Sequence, residues 1–145
     1  MTWMVDLGLL VDVLEDDAVY GRSSAALIDE YRRFGELYIS PVSYIQLGPL
    51  FGGLKDLQDK FLASLGIAIA HKNAHANLGV VLEAWSRYTR ASGDRTSEIP
   101  FTKLLIGAAA LSFDGLLTRR AAEFQQFFPK LNCIAPKAAS GKERS

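Results

Sequence analysis

Short apolar runs alternate with longer helical patterns along this chain, and this alternation most limits how the chain can fold. The helical patterns repeat apolar residues at intervals of three and four, which places them on one face of a helix. The runs predicted as strands are 3–5, 37–39, 67–70, 116–117 and 132–134. Strands separated by helices form parallel sheets, because each connection must cross back over the sheet. The sequence therefore predicts an α/β fold, a three-layer sandwich with a central parallel sheet of about four or five strands flanked by helices.

Cap and turn residues mark where the predicted helices begin and end. Ser40 is a good N-cap and Pro41 a good first helical residue. Gly66 ends the helix before it, and Asp114-Gly115 predicts a turn. The helices predicted in this way are 9–14, 22–36, 42–47, 54–65, 74–91, a helix opened by Pro100, and 121–128.

Size and composition predict one compact domain. The 145 residues are 49% hydrophobic and 22% charged, which is enough for a full-sized core. We assign residues 1–136 to this domain and predict that the polar tail 137–145 is disordered. Sixteen basic and sixteen acidic side chains cancel, so no global field draws the chain towards nucleic acid or an anionic membrane.

Cysteine use and hydropathy predict a cytoplasmic location. The single cysteine, Cys133, cannot form an internal disulfide, and this suits a reducing cytosol. The apolar run 104–113 is too short to span a bilayer, and the N-terminus MTWMVD shows no basic leader. We therefore expect no membrane partner.

The first predicted strand ends at an acidic residue, Asp6. In open parallel sheets, ligands bind outside the carboxyl ends of the strands, and Asp6 lies at such an end. A carboxylate at this position has two interpretations. It either caps the following helix or belongs to a site that needs an acid there, and the local residues leave both open.

Four segments together resemble one known family. They are WMVDLGLLVDVLEDD, YISPVSYIQL, PFTKLLIGAAAL and DGLLTRRAAEFQQFFPKLNCIAP. The chain resembles the PIN-domain ribonucleases over residues 3–136, and specifically the toxin subunits of VapBC-type toxin-antitoxin modules. The last segment is the most specific, because its Thr-Arg, Glu-Phe, Phe-Pro and final Pro follow the family order. The resemblance implies a PIN-like fold and an endoribonuclease activity that depends on Mg²⁺ or Mn²⁺.

The resemblance also implies where the metal ligands should lie. Divalent cations of this kind prefer hard oxygen ligands, activate water and stabilise the charge that grows on the phosphate. The family places an acid after the first strand, in the helix after the second strand, at the start of the buried helix and after the Thr-Arg of the fourth strand. In this sequence those positions hold Asp6, Gln46, Lys103 and Arg120. Leu7 replaces the usual hydroxyl residue beside the first acid, and Glu123 supplies an acid at a nearby, less essential position.

These replacements change the charge of the implied site. A complete quartet carries about four negative charges, whereas the four residues here sum to about plus one. At ~4 Å and an effective dielectric of ~20, each unit-charge contact is worth on the order of 4 kcal/mol. We therefore predict an impaired or abandoned metal site, with Asp6 as a residual ligand and metal binding absent or weak. An ion pair of Asp6 with Lys103 or Arg120 would explain how the fold tolerates the replacements.

Blander interpretations of the same residues stay open. Gln46 fits an ordinary buried amide, and Lys103 and Arg120 fit surface charges. Three functions also remain: an active ribonuclease with a non-standard ligand set, a silent PIN domain that binds RNA or protein, and a former toxin that still pairs with an antitoxin or with itself. In the family, the antitoxin inserts a basic residue, which Lys103 and Arg120 would repel. The apolar helices 54–65 and 74–91 predict a homodimer or an antitoxin complex.

Overall fold

A five-stranded parallel sheet forms the centre of the protein. The computed structural model describes residues 1–71, 78–93 and 98–138. Its strands are β1 (Thr2–Val5), β2 (Glu36–Ile39), β3 (Ile67–Ile69), β4 (Gly115–Leu117) and β5 (Cys133–Ile134). They lie in the order β3-β2-β1-β4-β5, and every neighbouring pair is parallel. The predicted α/β architecture is confirmed, and β1 occupies the middle of the sheet.

In the part of the chain that the structure describes, seven helices accompany these strands. They are α1 (Leu7–Leu14), α2 (Gly21–Phe34), α3 (Pro41–Leu47), α4 (Lys55–Ser64), α5 (Leu78–Ser92), α6 (Phe101–Ala110) and α7 (Ala121–Gln125). A 3-10 turn, Gly48–Phe51, joins α3 to α4. Ser40 caps α3 as predicted, since its Oγ accepts a hydrogen bond from the Val42 N–H at 3.0 Å and Pro41 follows at the first helical position.

Side chains of the strands alternate between two apolar cores, one on each face of the sheet. In β1, Trp3 and Val5 enter one core and Met4 enters the other. The first core contains residues of α1, α2, α3 and α4, including Leu9, Leu10, Leu27, Ile28, Leu47 and Leu62. The second contains residues of α5, α6 and α7, including Val81, Ala84, Leu104, Ile106 and Phe124. This arrangement is the predicted three-layer sandwich.

The structure corrects the predicted start of the fourth strand, at Gly115. The Asp114-Gly115 pair predicts a turn, yet Gly115 is the first residue of β4. A Cβ atom on Gly115 would lie 2.7 Å from the Trp3 ring and 2.8 Å from the Asn132 carbonyl oxygen. Close packing, rather than a turn, therefore explains the glycine.

Several helix ends differ from the prediction by one or two residues, and Glu36, predicted as the end of a helix, is the first residue of β2. Helix α7 ends at Gln125 instead of residue 128, and the chain then turns so that Phe127 and Phe128 both enter the core. Helix α5 runs to Ser92, while residues 74–77 of the predicted helix lie outside the described residues, as do residues 139–145 of the predicted tail. Within the described ranges, no helix is both long enough and apolar enough to cross a bilayer.

Candidate functional site

Asp6 lies between β1 and α1 and is almost fully buried. Its Oδ1 accepts a hydrogen bond from the Leu7 N–H at 2.9 Å, which caps α1. Its Oδ2 accepts a hydrogen bond from the Thr118 hydroxyl at 2.7 Å and lies 3.3 Å from Nη2 of Arg120. The two interpretations of Asp6 are thus compatible, because the residue caps the helix and also belongs to a cluster of charges.

Thr118 connects Asp6 to the chain after β4. The Asp6 N–H donates to the Leu117 carbonyl oxygen at 2.9 Å, which continues the β1–β4 pairing to the end of both strands. The Thr118 hydroxyl donates to Asp6 and accepts from the Arg120 N–H at 3.0 Å. The sequence marks Thr118 only as part of a motif, but its buried hydroxyl orients the Asp6 carboxylate against Arg120.

Lys103 and Glu123 form a second pair beside the first. Lys103 lies in the first turn of α6, and its Nζ donates a hydrogen bond to Oε1 of Glu123 in α7. This hydrogen bond lowers the pKa of Glu123 below its ordinary value; burial acts in the opposite direction, and the charges of Lys103 and Arg120 add to the lowering. Both side chains stay partly exposed. Each of the two acids, Asp6 and Glu123, therefore faces a basic side chain of the same protein.

Gln46 stays outside these contacts. It lies near the end of α3 with an exposed side chain, so its interpretation as a buried amide is wrong. Lys103 and Arg120 differ from free surface charges, because each is partly covered and paired with an acid. We name the set Asp6, Lys103, Thr118, Arg120 and Glu123 the paired-charge cluster.

A further buried acid, Asp12, lies near the other end of α1. Its Oδ1 is 3.2 Å from Nη1 of Arg119, and its Oδ2 accepts a hydrogen bond from the Ser24 hydroxyl at 2.9 Å. The Arg119 guanidinium also lies 4.1 Å from the centroid of the Tyr20 ring, a cation–π contact. Sequence reasoning missed this group, although an aspartate inside the apolar run LLVDVL is a signal for a buried, paired carboxylate.

The donor atoms of the paired-charge cluster determine what it can bind. A divalent cation of the magnesium type requires an oxygen-rich, negatively charged shell. Both oxygens of Asp6 already accept hydrogen bonds, and Arg120 and Lys103 bring two positive charges to two carboxylates. Among the described residues, no group of three or more histidine, cysteine, aspartate or glutamate side chains could hold a metal ion. In these contacts the residues present do not fit such a cation.

The comparison with solved structures agrees with the observed fold. No family model and no curated protein matches this sequence. The chain is similar to a solved structure described as the crystal structure of VapBC2 from Rickettsia felis bound to a DNA fragment from their promoter. The TM-score is 0.67 at 16% sequence identity, and the match covers 94% of this chain and 100% of that chain. This likeness supports the PIN-like fold that the sequence resemblance implies.

Proposed function

We propose that this chain is a PIN-like protein of the toxin-antitoxin type that binds a protein partner and does not hydrolyse RNA. The observation that carries this proposal is the pairing of Asp6 with Arg120 and of Glu123 with Lys103. Metal-dependent hydrolysis needs carboxylates that are free to hold a cation and activate water. Here the protein's own basic side chains are paired with those carboxylates, which argues against cleavage.

Charge favours a protein over RNA as the partner. RNA-binding proteins neutralise phosphates with clusters of lysine and arginine. In this chain the basic and acidic residues are equal in number, and the paired-charge cluster is itself balanced. The similar structure is described as VapBC2 with promoter DNA, and the sequence resembles VapBC-type toxins, so a small antitoxin or a second copy of this chain is the partner that we propose.

The surface of α3 and α4 provides a place for such a partner. Three apolar side chains on these helices and the loop between them are strongly exposed: Ile45 at 74%, Leu54 at 57% and Leu57 at 50%. The Tyr44 hydroxyl donates to Oδ1 of Asp59 at 2.6 Å, which ties the two helices together. We name Ile45, Leu54 and Leu57 the α3–α4 surface. Exposed apolar groups on connected elements are typical of protein interfaces.

An RNA cleavage assay tests the loss of hydrolysis. We expect the wild-type protein to cleave RNA with Mg²⁺ or Mn²⁺ no faster than an Asp6→Ala preparation, which reports contaminating nucleases. The triple variant Gln46→Glu, Lys103→Asp, Arg120→Asp should be less stable without metal, because its carboxylates repel one another. It should be stabilised by added Mn²⁺ and recover cleavage only in part, since Leu7 remains. Cleavage by the wild type above the Asp6→Ala background would overturn the proposal.

A co-expression experiment tests the partner. The chain would be produced together with the product of a neighbouring small reading frame, and the mass of the complex measured by light scattering. We expect Leu57→Asp to break the complex and Val19→Asp to leave it intact, because Val19 is comparably exposed but lies in the loop between α1 and α2. Retention of RNA with steep salt dependence, and no protein complex, would instead show an RNA-binding module.

A further inference from the structure

Two adjacent arginines contact two buried carboxylates of the same helix. Arg120 contacts Asp6, which precedes the first residue of α1, and Arg119 contacts Asp12 near the end of that helix. Asp6 is 1% exposed and Asp12 is 4% exposed. A buried carboxylate without a partner is strongly destabilising. Each acid therefore depends on the arginine that faces it.

The surroundings of the two carboxylates differ in one respect. Asp12 accepts a hydrogen bond from the Ser24 hydroxyl, as Asp6 does from Thr118, but its arginine, Arg119, is packed against the ring of Tyr20 and pairs with no second acid among the described residues. Arg120, in contrast, immediately precedes α7 and lies close enough to Glu123 to lower the pKa of that side chain. Removal of Arg119 would leave one carboxylate, that of Asp12, without its cation. Removal of Arg120 and Lys103 would leave two carboxylates, those of Asp6 and Glu123, without their cations.

We propose that Arg120 and Lys103 are built-in counter-ions that take the place of a divalent cation between Asp6 and Glu123. Divalent metal then does not change the stability of the wild-type protein. It stabilises the fold only when these two side chains are removed. This is a departure from the metal-dependent family that the sequence resembles. It rests on the same ion pairs as the proposed loss of hydrolysis, but it does not depend on which partner the chain binds, because it concerns only the stability and ion binding of the isolated protein.

A tethered cation has two advantages over a dissolved one. Arg120 is held next to Asp6 by the backbone and by the hydrogen bond between its N–H and the Thr118 hydroxyl, so its effective concentration at the carboxylate is high. A guanidinium group is, in general, also a permanent cation that suits carboxylate partners. Free Mg²⁺ or Mn²⁺ must displace this group and meet the charge of Lys103 as well.

Thermal unfolding with and without metal tests the proposal. The proteins would be the wild type, the double variant Lys103→Gln, Arg120→Gln, and the matched control Arg119→Gln, each in EDTA and in millimolar Mn²⁺. We expect the wild-type Tm to be unchanged by Mn²⁺. The double variant should melt lower in EDTA and recover about 4 °C when Mn²⁺ is at ~10 times its Kd. Arg119→Gln should also melt lower but show no recovery, because only one carboxylate loses its cation.

Calorimetric titration of Mn²⁺ gives a second measurement, with binding expected only in the double variant. Arg120→Lys should keep the metal indifference of the wild type, because it retains the charge. If the double variant does not fold in EDTA, it would be refolded in millimolar Mn²⁺, where we expect a folded protein; failure to fold in both solutions would overturn the proposal. Equal stabilisation of the wild type and the variant by Mn²⁺ would overturn the proposal, and so would a folded variant that gains no Mn²⁺ binding. Neither result bears on partner binding, which the co-expression experiment tests separately.

Discussion

At the scale of single residues, the two carboxylate oxygens of Asp6 together have three roles. One oxygen caps α1 through the Leu7 N–H, and the other accepts the Thr118 hydroxyl and faces Arg120. Because the residue is buried, water cannot replace these partners when they are lost. The roles can therefore be separated by substitutions that remove them one after another.

We expect Asp6→Ala to lower the free energy of unfolding by about 3 kcal/mol, the sum of a lost cap and lost buried hydrogen bonds. Asp6→Asn keeps an oxygen acceptor for the cap or for Thr118 but removes the charge that faces Arg120. It should cost about half as much. Urea unfolding of both variants checks this order. An Asp6→Asn protein as stable as the wild type would show that the charge of Asp6 contributes nothing.

The lowered pKa of Glu123 makes the stability of the fold depend on pH, and the direction of the shift gives the sign of this dependence. Its pKa is lowered in the folded protein, chiefly by the hydrogen bond from Lys103, so its pairing stabilises the fold above the unfolded pKa. That contribution is lost as the pH falls through the lowered pKa, which lies below the ordinary value of a glutamate side chain. Because the pair is partly exposed, we expect Glu123→Gln to cost less than about 1 kcal/mol at pH 7.

The control for Glu123→Gln is Glu83→Gln, which changes a largely exposed acid of α5 that makes a long contact of 3.5 Å with Arg87. Tm would be measured from pH 3 to pH 7 for both variants and for the wild type under the same conditions. The gap between Glu123→Gln and wild type should close towards the acid end of this series, whereas Glu83→Gln should stay near the wild type throughout. A gap that widens on acidification would contradict the sign.

The residues of the candidate site could be predicted from the sequence only in part. The resemblance placed Asp6 and Arg120 at positions that the structure brings into contact. Lys103, however, pairs with Glu123 rather than with Asp6. The contact between Asp12 and Arg119 was missed, because residues so far apart in the chain leave no periodic signal. Local pattern identifies a charge in an apolar segment, but only the tertiary structure determines its partner.

At the scale of elements, α6 carries a glycine whose small size is required by packing. A Cβ on Gly107 would lie 2.5 Å from two ring carbons of Phe128, which is itself buried. We expect Gly107→Ala to destabilise the protein by about 1–3 kcal/mol, because overpacking outweighs the better helix propensity of alanine.

Gly8→Ala is the matched control for this prediction. Gly8 lies in α1, and nothing lies within 4 Å of the position that its Cβ would take. The same substitution should there stabilise the protein by roughly 0.5 kcal/mol. Denaturant unfolding measures both variants, and equal effects of the two alanines would refute the packing argument.

Element boundaries show what periodicity can and cannot predict. Within the described residues, the period of apolar residues located the five strands and seven helices to within a few residues, since a face of each element is buried. The Asp-Gly pair placed Gly115 in a turn, because only the Trp3 ring and the Asn132 carbonyl that pack against it explain a glycine in this strand. The period of apolar residues also extended α7 over Phe127 and Phe128, whose apolar character fits a helix and an irregular buried turn equally well.

At the scale of the whole molecule, the order of strands creates the paired-charge cluster. Because β1 and β4 are neighbours and parallel, their carboxyl ends meet, and Asp6 comes next to Thr118 and Arg120. Alternation of strands and helices predicts a parallel sheet but does not give its order. The order β3-β2-β1-β4-β5 therefore comes from the structure alone.

The apolar surface of the molecule leads to the last prediction, which concerns self-association. Ile45, Leu54 and Leu57 leave much apolar area uncovered on the α3–α4 surface, and burying it between two copies would remove this area from water. We expect a homodimer at high micromolar concentration when no other partner is present. Light scattering coupled to size exclusion gives the mass directly. A strictly monomeric mass would count against the homodimer.

A charge placed in the centre of such a contact would have to be desolvated, so Leu54→Asp should shift the population to monomer. Val19→Asp introduces the same charge at a comparably exposed apolar residue on the loop between α1 and α2, and it should leave the dimer intact. Both variants should keep the wild-type Tm within a few degrees in dilute solution, because neither side chain belongs to a core. If both substitutions, or neither, dissociate the dimer, the contact lies elsewhere than on the α3–α4 surface.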